Sequence, residues 1–199
     1  MYSLLLDSAD KYLGIGIALN NEIIDKVYFE AWQRQSELMV PELEKILKKN
    51  NIDPKSINEI IVTVGPGSYT GVRIALTIAK IYAYSLNIKC YAISSLNILM
   101  NPNKPSICLM NARSNRSYFG VYNGKNLIEK DQVLTNENVK KYIDEHKDFS
   151  VCGDTKYLGI EGERNDIFIN MLRLKSEENE VKNILSLKAV YLKDWWVLN

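Results

Sequence analysis

The stretch "LLDSADKYLGIGIALNNEIIDK" at residues 5–26 aligns without a gap on "LMNARSNRSYFGVYNGKNLIEK" at residues 109–130. Asp7 falls on Asn111, Gly16 on Gly120, Ile17 on Val121, and "IIDK" on "LIEK". Each copy reads as strand, polar turn, strand, Asn/Gly-type turn, strand. The alternation in "YLGIGIAL" and the turns at Asn20-Asn21 and Asn123-Gly124 predict a three-stranded antiparallel meander in each half.

The order of elements after each copy is also shared. After the first, Met39, Leu43, Ile46 and Leu47 have helical spacing over residues 36–50, with Ser36 as the expected N-cap. A strand over 59–64, a glycine-rich bend, a helix over 70–86 and a strand over 89–93 follow. After the second, Thr135 caps a helix running to about His146, and "FSVCGD" (149–154) reads as a strand. A last helix is expected at about 177–187. The order βββαβα is thus written twice, and "NPNKP" (101–105) marks the joint between lobes 1–100 and 101–199. A duplicated βββαβα unit is the layout of the α/β ATPase-like folds of actin, hexokinase and Hsp70, which are ribonuclease H-like. Fold alone does not give function.

Composition narrows the classes. The 199 residues are 46% hydrophobic and 25% charged, with a formal net charge of +1, so bulk electrostatics do not announce a nucleic-acid binder. No segment approaches the ~20 apolar residues of a membrane span, and the N-terminus lacks a basic leader pattern. Cys90, Cys108 and Cys152 are isolated among apolar or small residues, as reduced core thiols would be. A cytoplasmic protein without membrane contact is expected.

The bend "GPGSYTG" (65–71) invites a phosphate-binding reading, which its spacing does not support. A Walker A loop needs a Lys after its last glycine, and a dinucleotide loop needs G-x-G-x-x-G after the first strand of a βαβ unit. Neither is present. Two readings stay open. Gly65 and Gly67 could serve a sharp strand-to-helix turn capped by Ser68 or Thr70. Alternatively, free amides at the helix start could face an anion, which Arg73, a cation unfavourable to the helix dipole, would support. The first hairpin turn, "LDSADKY", has no glycine to close on phosphate, and Asp7 lacks a charged repeat counterpart. Independent nucleotide hydrolysis is therefore not expected. The single histidine, His146 in "DEHKD", excludes a multi-histidine metal site and leaves a catalytic triad only an exposed helix-end residue.

On a wheel at ~100° per residue, Val72, Ala75, Leu76, Ala79, Tyr82, Ala83 and Leu86 form one apolar stripe suited to a sheet. Ile74, Ile78 and Ile81 form a second on nearly the opposite side, and Arg73, Thr77, Lys80, Tyr84 and Asn87 make the polar strip. The second stripe is covered either by the 36–50 helix or by another chain.

These residues carry a resemblance. "VTVGPGSYTGVRIALTIAKIYA" resembles the signature of the TsaB (YeaZ) family, usually close to GPGSFTGLRIG, here Gly65, Pro66, Gly67, Ser68, Tyr69, Thr70, Gly71 and Arg73. "RQSELMVPELEKIL" is similar to the family's Gln-His-Ser-Glu segment, with Gln35 in place of the histidine. "MNARSNRSYFGVY" resembles its Asp-Ala-Arg segment, with Asn111 in place of the aspartate. The second lobe is short, and "AVYLKDWW" departs from the family's ending.

The resemblance implies an ATPase-like fold without catalytic residues or cofactor of its own. It implies pairing with TsaD, the subunit that transfers threonylcarbamoyl to adenosine beside the anticodon of tRNA. ATP and metal are expected on TsaD and on a small ATPase, TsaE, with tRNA met through the complex and homodimers formed by the chain alone. The implied interface is a helical bundle from the 36–50 and 70–86 helices, here Met39, Leu43, Ile46, Ile74, Ile78 and Ile81. A stand-alone kinase-like ATPase or a peptidase of the same fold is the alternative, opposed by the glycine-free hairpin and the lone histidine.

Overall fold

The computed structural model describes residues 1–192; the Trp195-Trp196 tail and the end of "AVYLKDWW" lie outside the described residues. Two sheets carry the chain. In the first, β1 (Tyr2–Asp7), β2 (Tyr12–Leu19), β3 (Glu22–Glu30), β4 (Ile57–Thr63) and β5 (Lys89–Ile93) lie in the order β3-β2-β1-β4-β5. In the second, β6 (Ser106–Arg113), β7 (Arg116–Asn123), β8 (Asn126–Thr135) and β9 (Ser150–Gly153) lie in the order β8-β7-β6-β9. The meanders are antiparallel, and β4 and β9 join their sheets parallel to β1 and β6. Strands starting at 2, 12 and 22 recur at 106, 116 and 126, so the ungapped alignment holds strand for strand. The α/β ATPase-like layout is present.

Two helices cover the first sheet. α1 (Gln35–Lys49) starts without a side-chain cap, after Arg34 rather than Ser36, and accommodates Pro41 in its second turn. α2 (Tyr69–Leu86) is capped by Ser68, whose Oγ accepts the Gly71 amide at 3.2 Å, and ends on Asn87 in the left-handed region. In the second half, α3 (Asn136–Glu145) is capped by Thr135, as its sequence predicts.

The helix expected at 177–187 is elsewhere. α4 spans Ile167–Leu174, capped by Asp166 on the amides of Phe168 and Ile169. Glu177–Asn179 and Ile184–Ser186 are only single 3₁₀ turns. Phe168, Met171 and Leu174 at helical spacing behind a capping aspartate give the shorter segment a buried face, which "EENEVKNILSL" lacks.

Each sheet is built from one half of the chain, but residues beyond 166 pack back on the first sheet and do not follow the expected division at 100. The Phe168 ring packs on Gly14 and Gly16 of β2. Lys175 Nζ meets the buried Glu59 carboxylate of β4 at 2.6 Å. The Val181 amide donates to the Cys90 carbonyl at 2.8 Å, and the Val190 amide to Val64 at 2.7 Å. Between the sheets, the Asp131 carboxylate of β8 accepts from Ser94 Oγ, beyond β5, and from the Tyr122 hydroxyl of β7. The three cysteines are free and buried, and burial pushes the Cys90 thiol up to about 12.

Candidate functional site: the glycine loop, the interlobe cleft and the outer face of α2

The loop between β4 and α2 meets the turn between β1 and β2. The Ser68 amide donates to the Ala9 carbonyl at 2.6 Å, and Ser8 Oγ donates to the Gly71 carbonyl at 2.6 Å. A Cβ at Gly67 would collide with the Ala9 carbonyl oxygen, and one at Gly71 with that of Ser8. The glycines therefore admit the chain's own hairpin. They do not leave room for a ligand between loop and turn. Of the two readings of the loop, the packed turn accounts for these glycines. Arg73, offered as support for an anion, has its guanidinium 4.3 Å from the Tyr69 ring centroid. Tyr69 stacks in turn on Tyr191 at 5.0 Å.

Asp7, at the end of β1, is buried. Its Oδ1 accepts from Thr63 Oγ1 at 2.6 Å and from the Ala9 amide at 3.4 Å. Burial, opposed by these bonds and assisted by Asp10, raises its pKa to about 6. It borders a small pocket of about 90 Å³ shared with Asp10, Tyr12, Tyr28 and Asp154. Among the described residues, no group of three His, Cys, Asp or Glu side chains is arranged to hold a metal ion. His146 is half-buried rather than solvated: it stacks on Tyr142 at 4.0 Å, and its Nδ1 lies 2.9 Å from the Tyr142 carbonyl oxygen.

Outside this pocket the lobes enclose a cleft of about 800 Å³, with the turn at Ala9–Lys11 and residues 67–70 on one side. The β6–β7 turn forms the other side, and Glu30 and Trp32 also border the cleft. Arg113 lies over Trp32, 4.9 Å from the ring centroid.

The helical face needs correction. Met39, Leu43 and Ile46, expected at a partner's helices, are buried in the first lobe because the apolar stripe of α1 faces inward. In the second stripe of α2, Ile78 is only 8% exposed and belongs to the same core, with α1 packed beside α2. Ile74 is half-buried against that core. Ile81 remains 58% exposed. The uncovered apolar surface is thus Ile81 with Tyr84, 64% exposed and assigned by the wheel to the polar strip. It sits beside the turn carrying the exposed Leu185, whose carbonyl accepts from Lys80 Nζ at 3.3 Å. Tyr84 was legible as an aromatic one turn from Ile81. Leu185 had no sequence signal, since nothing local says that its turn returns to α2.

No helix among the described residues is long and apolar enough to cross a membrane. Comparison with known proteins gives one consistent family. The family model described as TsaD, tRNA N6-adenosine threonylcarbamoyltransferase, matches residues 29–154. The Bacillus subtilis protein named tRNA threonylcarbamoyladenosine biosynthesis protein TsaB is 34% identical over 144 residues, which are 70% of this chain and 62% of that relative. A Mycoplasma genitalium protein, MG208, is 36% identical over 124 residues, 61% of this chain and 63% of its own. The match therefore spans less than two thirds of either relative. The fold superposes on YeaZ from Pseudomonas aeruginosa with a TM-score of 0.80 at 21% identity, covering 96% of this chain and 99% of that one. With its glycine loop, its duplicated meander and a family match over more than half its length, this chain belongs to the TsaD family and, within it, to the TsaB (YeaZ) group.

Proposed function

We propose that the chain is a non-catalytic subunit in the formation of N6-threonylcarbamoyladenosine beside the anticodon of tRNA, binding and supporting a TsaD-like catalytic subunit. The observation that carries this reading is the closed contact between the glycine loop and the first hairpin. There the Ser68 amide is taken up by the Ala9 carbonyl and the Gly71 amide by Ser68 Oγ, and Gly67 and Gly71 pack on the backbone of Ala9 and Ser8. Together with a first hairpin that has no glycine to close on phosphate, this arrangement supports binding over turnover. ATP, metal and the TsaE-like ATPase belong to the partner subunits in this reading. The face for the partner is the outer side of α2 at Ile81 and Tyr84, a site that also suits a second copy when the chain is alone. Light scattering of the chain mixed with a TsaD-like subunit tests it. A hetero-complex, with no ATP turnover or peptide cleavage by the chain alone, is expected. Failure to associate, or turnover abolished by Asp7→Ala, would overturn it.

A further inference from the structure

The outer cleft carries a chemistry that subunit pairing does not use. Lys11, Arg113 and Arg116 all border it. None of the three has an ion pair among the described residues, although Asp10, Glu30 and Asp154 border the same cleft. Asp10, Asp154 and Lys11 also line the small inner pocket, whereas Arg113, Arg116 and Glu30 line only the outer part.

The turn that presents the arginines is held in an unfavourable conformation. Arg113, Ser114 and Asn115 are three consecutive non-glycine residues at φ 59°, 51° and 57°. Arg113 ends over the exposed Trp32 ring. Stacking on one face leaves the guanidinium edge free to donate hydrogen bonds. An aromatic ring beside unpaired cations is the combination that single-stranded nucleic acid requires, a base on the ring and phosphates on the cations. The acceptors of Asp10 and Asp154, deeper in, suit base amino groups.

We infer that the interlobe cleft binds unpaired nucleotides of RNA, with Arg113, Arg116 and Lys11 on phosphates and Trp32 as a stacking surface. The inference rests on the tRNA-modification reading for the identity of the RNA, but its test does not depend on the partner.

Fluorescence anisotropy of a labelled tRNA anticodon stem-loop, titrated with the purified chain alone, measures it. The Arg113→Glu/Arg116→Glu double variant should bind at least about tenfold more weakly at low salt. The milder Arg113→Gln/Arg116→Gln variant, which serves if the charge reversal unfolds the chain, should reduce the slope of log K against log salt by about 1.4. Trp32→Ala should weaken binding about tenfold, by loss of stacking, with the salt slope unchanged. The same variants should still associate with the TsaD-like subunit in light scattering. RNA binding that is absent in the wild type, or unchanged in both arginine variants, overturns the inference and leaves subunit pairing standing. Variants that lose the subunit and keep the RNA also overturn it, and make the cleft a protein contact.

Discussion

Asp7 and Asn111 occupy the same place in the two meanders and make the same local bond. Each Oδ1 accepts the amide two residues on, that of Ala9 in one case and of Arg113 in the other. Their surroundings differ: Asp7 is buried against Thr63, while Asn111 is exposed. The repeat preserves the turn, and the packing around it decides what a charge there costs.

Asp7→Asn should therefore stabilise the chain above pH 6. The folded pKa, about 6, lies above the ordinary 3.8, so the folded state holds the proton more tightly. The stability this contributes is fully present below about pH 4 and is lost as pH rises through 6. Asparagine keeps the acceptor for Thr63 and removes the charge. The variant should gain on the order of 2 kcal/mol over wild type between pH 4 and pH 8. Urea midpoints at the two pH values measure this, and an advantage that shrinks with pH contradicts it.

Gly71→Ala should destabilise the chain by about 3 kcal/mol, because its Cβ meets the Ser8 carbonyl, which is backbone and cannot turn aside. Thermal unfolding of Gly71→Ala beside Gly124→Ala, whose Cβ would meet nothing, checks the cause, and an equal small loss in both would contradict the close contact with Ser8.

Ile81→Asp and Ile78→Asp should behave oppositely, although one helical turn separates them. At Ile81 the charge is solvated, so the melting temperature should hold while association with a TsaD-like subunit weakens. At Ile78 the charge enters the core and should cost the fold about 3 kcal/mol or more. Circular dichroism melts together with light scattering separate the two effects. Equal loss of stability in both would show that the outer face is core.

Lys175→Ala should cost about 3–5 kcal/mol, because among the described residues it leaves the buried Glu59 carboxylate with Ser3 Oγ as its remaining partner. Glu59→Gln in the same chain should restore part of the loss. Chemical denaturation of the two variants measures this, and an unchanged midpoint in Lys175→Ala would detach the segment after α4 from the first sheet.

The amino-acid sequence by itself determined the two meanders, the position of the glycine bend and the cap at Thr135, and left the cap of α2 open between Ser68 and Thr70. These depend on alternation, turn residues and hydrogen bonds within a few positions, all of which are local. It also carried the family, because the loop around Gly67 and Gly71 admits few alternatives. Only the tertiary structure decided what covers what. α1 lies beside α2 and takes Ile78 into the core while leaving Ile81 outside, a distinction that a wheel cannot make because both residues belong to one apolar stripe. Phe168 leaves the second lobe to fill the space above Gly14 and Gly16, where a Cβ on either strand residue would crowd the ring. The glycine loop closes on Ser8 and Ala9 because a segment some sixty residues earlier is brought against it. Periodicity records which side of an element is apolar; the partner that buries that side comes from distant chain, and only packing selects it.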